Sequence, residues 1–135
     1  MIEGKGLMVF YENMLALNNV CLQAEEGSVI GVFGSNSAGK STLMYMLSGI
    51  LQDIRKKEEM QGGERITLLG KITLDGEEIT SLPPHERAAR GIVLCPERRR
   101  IFGESSVIEN LRIGSYLAPR KDRARDIENV LENAF

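Results

Sequence analysis

The stretch VFGSNSAGKST, residues 32–42, constrains this chain more than any other. It is apolar on entry, crowded with small residues in the middle, and leaves with a lysine and two hydroxyls. Gly34, Ser35, Asn36, Ser37, Ala38, Gly39, Lys40 and Ser41 fit the pattern GxxxxGK followed by Ser or Thr, with Thr42 beyond it. Small residues let successive backbone N–H groups converge on phosphate oxygens, and a following helix adds the partial positive charge of its N-terminus. Such a loop predicts an apolar strand before it and a helix after it, a unit of an α/β fold. A turn that only joined strand to helix would have no use for a lysine aimed into its own concavity.

The flanks agree with that expectation. Val29–Phe33, VIGVF, is a continuous apolar run of the kind buried in parallel sheets. Leu43, Met46, Leu47, Ile50 and Leu51 recur at helical spacing, which predicts a helix over about 40–51. Upstream, Leu7–Tyr11 and Leu15–Gln23 read as strands joined by a turn at Glu12-Asn13, an antiparallel β region ahead of the core.

Downstream the pattern is more broken. Gln52–Arg65 is densely charged and closes on Gly62-Gly63, so it reads as a solvated loop or a short exposed helix. Ile66–Leu69 and Lys71–Leu74 are strand-like, and Asp75-Gly76 supplies a turn. Ser81 is expected to cap a helix running from about Pro83 to Gly91, and Ile92–Cys95 reads as a further buried strand. Ser106 is expected to cap a helix through Val107, Ile108, Leu111 and Ile113 that stops at Gly114. A last helix from about Lys121 places Ala124, Ile127, Val130, Leu131 and Ala134 on one face. The pattern is still running at Phe135, so an incomplete C-terminal side is expected.

Composition narrows the partners. A formal net charge of -2 on 135 residues gives no reason to expect nucleic-acid binding. Neither a signal segment nor an apolar run of membrane-spanning length is present, so any membrane contact is expected through a partner. Cys21 and Cys95 have no CxxC spacing and no neighbouring histidine, and are expected to be buried small apolar residues in a reducing cytosol.

Four stretches in order carry a family resemblance: VFYENMLALNNVCLQAEEGSVIGVFG, the glycine loop, KITLDGEEITSLPPHERAARGIVL, and CPERRRIFGESSVIENLRIGSY. Together they resemble the N-terminal half of an ABC-transporter ATP-binding subunit, over nearly the whole of residues 1–135 apart from an insertion at 52–65. The run LPPHERAARGI, then PERRRIF and VIENL, is most similar to the branched-chain amino acid importer ATPases of the LivF type. The resemblance implies a P-loop NTPase core of the ABC ATPase type with an N-terminal antiparallel β region.

It also implies roles. Lys40 would reach the β- and γ-phosphates of ATP, Ser41 would ligate Mg²⁺, and Tyr11 falls where the family stacks an aromatic ring on adenine. Glu97 stands where most ABC ATPases carry the glutamine that touches Mg²⁺ or the attacking water, and a carboxylate also offers oxygen to Mg²⁺. Arg98, Arg99 and Arg100 form a basic cluster at the loop that would face membrane-embedded permease subunits. His85 resembles a helix position outside the nucleotide site. Ser35 and Ser37 replace the commoner proline and glycine of the loop, and Ser37 is expected to cost up to about 1 kcal/mol if its φ is positive.

The signature motif, the strand ending in Asp-Glu and the switch histidine do not follow within this sequence. Those groups act as a unit with a second ATP-binding subunit, so the chain is expected to bind ATP and to be inactive in hydrolysis alone. In its complete form the family sits peripherally on the cytoplasmic face of the membrane. Two other readings remain at this level. One is an ATPase of lipopolysaccharide export, which shares the LPxHxRAxxGI run but has a serine-rich loop where this chain has PERRRIF. The other is a non-catalytic nucleotide-binding or regulatory module.

Overall fold

The computed structural model of the chain describes residues 1–97 and 101–133. Two compact units are present, Met1–Leu94 and Cys95–Phe135.

The first unit is built on an antiparallel sheet of order β2-β1-β3-β4, with β1 Ile2–Tyr11, β2 Met14–Ala24, β3 Ile66–Leu74 and β4 Glu77–Glu78. Tyr11 pairs with Met14 across the expected turn, and both strands extend further than their apolar runs. The ladder slips between Gly4 and Leu7 on β2 and between Lys5 and Met8 on β3. Gly6 (φ 62), Asn19 (φ 47) and Gly70 (φ 102) mark this irregularity on three strands. A Cβ on Gly70 would meet the Gly6 carbonyl oxygen at 2.5 Å, so the close approach needs glycine there. The slip changes the parity of β1, which is why Gly4, Leu7 and Val9 all face inward.

The sheet is packed by helices α1 Lys40–Ser48 and α2 Ile50–Gln61, and α3 Pro84–Ala89 packs in turn on both helices. Leu7, Val9, Leu17 and Ile72 from the sheet meet Leu43 and Met46 of α1, Leu51 of α2, and Ile79 in one core. Gly49, at φ 83, ends α1 and begins α2, so the expected single helix is two. Charged residues 52–61 are therefore helical and mostly exposed, with Leu51 the buried residue of α2.

Several expectations are corrected. Val29–Phe33 is neither strand nor buried: Val29 is 98% and Phe33 94% exposed. Ile92–Cys95 is likewise irregular, with Val93 78% exposed. An apolar strand of that type needs paired neighbours, and among the described residues no parallel pair exists. Ser81 does not cap α3; Pro83 occupies that position, with Pro84 opening the helix where its missing N–H costs nothing. Cys21 and Cys95 are free and exposed. Strand alternation turns Cys21 outward between half-buried Val20 and Leu22. Ile66–Leu69 and Lys71–Leu74 are one strand that passes through Gly70.

The second unit holds α4 Val107–Gly114 and α5 Arg123–Asn133. Ser106 caps α4 as expected, in a capping box with Glu109. Gly114 is the last helical residue and Ser115 takes the cap position. The Asn110 side chain ties Phe102 back to the helix, accepting from its N–H at 2.9 Å and donating to its carbonyl at 3.1 Å. Val130 and Leu131 of the apolar α5 face are half-exposed, and Ala134 and Phe135 lie outside the described residues.

Candidate functional site

The glycine loop leads into α1, and its shape follows from two left-handed residues. Ser37 has φ 64, the condition under which its side chain costs stability, and Gly39 has φ 86 at the position before the helix. A Cβ on Gly39 would come within 2.5 Å of the Ala16 carbonyl oxygen and 2.9 Å of Leu17 Cδ2. The first turn of α1 thus rests directly on β2, and only glycine permits that approach.

Lys40 folds back over the loop. Its Nζ donates to the Gly34 carbonyl at 2.9 Å and to the Ser35 carbonyl at 2.6 Å, and the Ala38 N–H bonds the Ser35 carbonyl at 3.2 Å. Ser35, Asn36, Ser37, Ala38 and Ser41 are exposed, while Lys40 and Thr42 are half-buried. No acidic residue lies in the first turn of α1, so its positive end is uncompensated. The loop therefore offers a lysine, helix-end amides and two hydroxyls to an incoming anion.

The donor set also fits Mg²⁺ of the phosphate-bridging kind. That ion takes one or two hard oxygen ligands from protein and the remainder from phosphate and water. Ser41 supplies a hydroxyl beside the lysine, and no cluster of three His, Cys, Asp or Glu suited to a metal held by protein alone occurs among the described residues.

Tyr11 ends β1, half-buried against the core and paired with Met14 and Ile66. Met14 is two residues along β2 from Ala16, on which Gly39 sits, so Tyr11 lies at the same end of the sheet as the loop. Glu97 is exposed and belongs to the second unit. Arg98, Arg99 and Arg100 lie outside the described residues. His85 is exposed on α3.

One participant escapes sequence reading. Arg87 of α3 is fully buried, and its guanidinium donates to four backbone carbonyls: Leu82 at 2.9 Å, Met46 at 2.8 Å, Leu47 at 2.8 Å and Thr80 at 2.7 Å. Burial lowers its pKa below the ordinary arginine range. The Met46 and Leu47 carbonyls close α1, which has no basic residue in its own last turn. Arg87 supplies that missing positive charge and fixes the far end of the helix that presents Lys40. Its place inside the LPPHERAARGI run was the available signal, but six residues of helix give too short a period to show a buried face.

Comparison with known proteins places these features in a family. The ABC transporter family profile matches residues 17–134. The chain is 30% identical over 132 residues to the high-affinity branched-chain amino acid transport ATP-binding protein BraG of Pseudomonas aeruginosa, covering 98% of this chain and 51% of that one. It is 35% identical over 115 residues to BraF of the same organism, a protein of the same description, covering 85% and 40%. It is 31% identical over 135 residues to the lipopolysaccharide export system ATP-binding protein LptB of Haemophilus influenzae, covering 97% and 50%. The chain spans about half the length of the curated relatives it matches. With the phosphate-type loop at the start of α1 and a family match over most of its length, the chain belongs to the ABC transporter family, as a P-loop ATPase-type α/β domain sequence.

Proposed function

We propose that this chain forms the MgATP-binding part of an ATP-binding subunit that energises a branched-chain amino acid importer. The observation that carries the nucleotide reading is the loop itself. Lys40 is held over the Gly34 and Ser35 carbonyls at the uncompensated N-terminus of α1. A polyanion entering there meets an ammonium group and helix-end donors together, and charge-assisted bonds of this type are the stronger ones.

In this reading Gly34–Thr42 cradles the phosphates and Ser41 ligates Mg²⁺. Tyr11 stacks on the base, supported by its position at the loop end of the sheet. Glu97 supplies a further oxygen toward Mg²⁺, the role the family resemblance assigns to it. Residues 1–135 act as one nucleotide-binding domain portion, working with permease subunits and a second ATP-binding subunit at the cytoplasmic face of the membrane. No helix among the described residues is long and apolar enough to cross a membrane.

The importer reading rests on the PERRRIF and VIENL runs and on the relatives BraG and BraF. Similarity of the same order to LptB favours a second reading, the ATPase of a lipopolysaccharide exporter. MgATP titration of Lys40→Ala tests the site: the loss expected is about 1.5–3 kcal/mol, roughly tenfold or more in Kd. Unchanged affinity refutes it. Disrupting the gene and measuring leucine uptake alongside surface lipopolysaccharide separates the two transport readings.

A further inference from the structure

Helix α2 overlaps the charged stretch 52–65 and forms a cleft of about 410 Å³ against β3 within the first unit. The floor is aliphatic, made by Met46, Leu68 and Ile72. The rim carries two cations, Arg55 and Lys56, and no acidic side chain lines the cleft. Arg55 Nε is buried and without a hydrogen-bond partner among the described residues. The Glu59 carboxylate stands 3.7 Å from that same nitrogen, an ion pair too long for a hydrogen bond.

The wall opposite is fixed in place. Gln52 Nε2 donates to the Thr80 carbonyl at 2.8 Å, and Thr80 Oγ1 accepts from the Ile72 N–H at 2.9 Å. Cleft size falls within the range of small-molecule sites, which are apolar with a few oriented polar groups. With two cations and no acidic side chain in its lining, the cleft favours an anion over a zwitterion. An aliphatic floor without an aromatic ring favours an alkyl body over a planar one.

We propose that this cleft binds a small aliphatic monocarboxylate, its head paired with Arg55 and Lys56 and its chain laid over Leu68 and Ile72. The site is independent of the nucleotide loop, so its test needs no nucleotide. Octanoate is the probe, followed by amide chemical shifts on the isotopically labelled chain, with acetate, octan-1-ol and leucine as comparisons at matched millimolar concentration. Octanoate should shift amides around Gln52–Lys56 and Leu68–Ile72 in a saturable way, with the other three producing far smaller changes.

Arg55→Met and Lys56→Ala should each weaken octanoate by about tenfold while keeping the parent melting temperature to within a few degrees. Lys56 is exposed, so its replacement reports on the site even if the Arg55 change disturbs folding. The proposal is overturned if octanoate shifts nothing, or if acetate or octan-1-ol matches it. It is equally overturned if leucine matches it, or if a folded cation variant binds octanoate as the parent does.

Discussion

Replacing Arg87 by methionine keeps an unbranched apolar stem, shorter and smaller than arginine, and removes every donor. The carbonyls of Met46, Leu47, Thr80 and Leu82 would then lose a buried partner. Exchanging a buried ion pair for apolar residues is often neutral because both partners are replaced, but here the acceptors are backbone and stay behind. Two of them keep a second donor: the Gly49 N–H at 3.3 Å on Met46 and Gln52 Nε2 at 2.8 Å on Thr80. The loss should therefore be that of one broken buried polar network, about 3–5 kcal/mol, and not the sum of four bonds. For a chain of this size that is on the order of 10–20 °C in melting temperature. Arg87→Lys sharpens the test. It retains the charge, but a single ammonium cannot span carbonyls from α1, Thr80 and Leu82 as a planar fork does, so at least half the loss should remain. The assay is thermal unfolding by circular dichroism. Arg87→Lys melting with the parent, or Arg87→Met melting above it, would refute the reasoning.

Other consequences follow from the same geometry. Gly39→Ala should destabilise by about 2–4 kcal/mol, since the new Cβ meets the Ala16 carbonyl at a left-handed φ; denaturant titration measures it. Ser37→Gly should stabilise by up to about 1 kcal/mol in the same titration, because φ 64 is costly only for a residue with a Cβ. Tyr11→Ala should weaken ATP while leaving tripolyphosphate nearly unchanged in calorimetry, and equal losses would reduce Tyr11 to a packing role. The Ser106 hydroxyl, and then its backbone N–H, hold the Glu109 pKa below its ordinary 4.5. The contribution of the capping box is thus complete above that value and disappears as pH falls through the lower folded one. Helical signal lost over that range in the parent, and no longer pH-dependent there in Glu109→Gln, is the expected result.

What the sequence made legible were features decided by a few adjacent residues. The turn at Glu12-Asn13 and the cap at Ser106 both follow from local chemistry, and both are present. The break at Gly49 was less visible, because Leu43, Met46 and Leu51 keep helical spacing across a residue that is left-handed. Val29–Phe33 and Ile92–Cys95 failed for the opposite reason. Their apolar character is a statement about neighbours, and no described segment pairs with them. Cys21 shows the same dependence on context: its side is decided by strand alternation, against the general tendency of cysteine to be buried. In the candidate site the loop's pattern of small residues, lysine and hydroxyls stands in the sequence itself, whereas Arg87 becomes significant only once the fold brings α3 to the end of α1.

The two bonds that Lys40 makes to the loop change what a ligand measurement on this site means. The ammonium does not wait in water; it already holds the Gly34 and Ser35 carbonyls. Phosphate binding is then an exchange, in which new contacts are gained while the lysine shares or surrenders old ones, and the observed affinity is the difference. A side chain that pre-shapes the cradle also lowers the entropy left to lose on binding. Replacing Lys40 should accordingly slow the arrival of nucleotide as well as hasten its departure, since the loop would have to be ordered anew at each encounter.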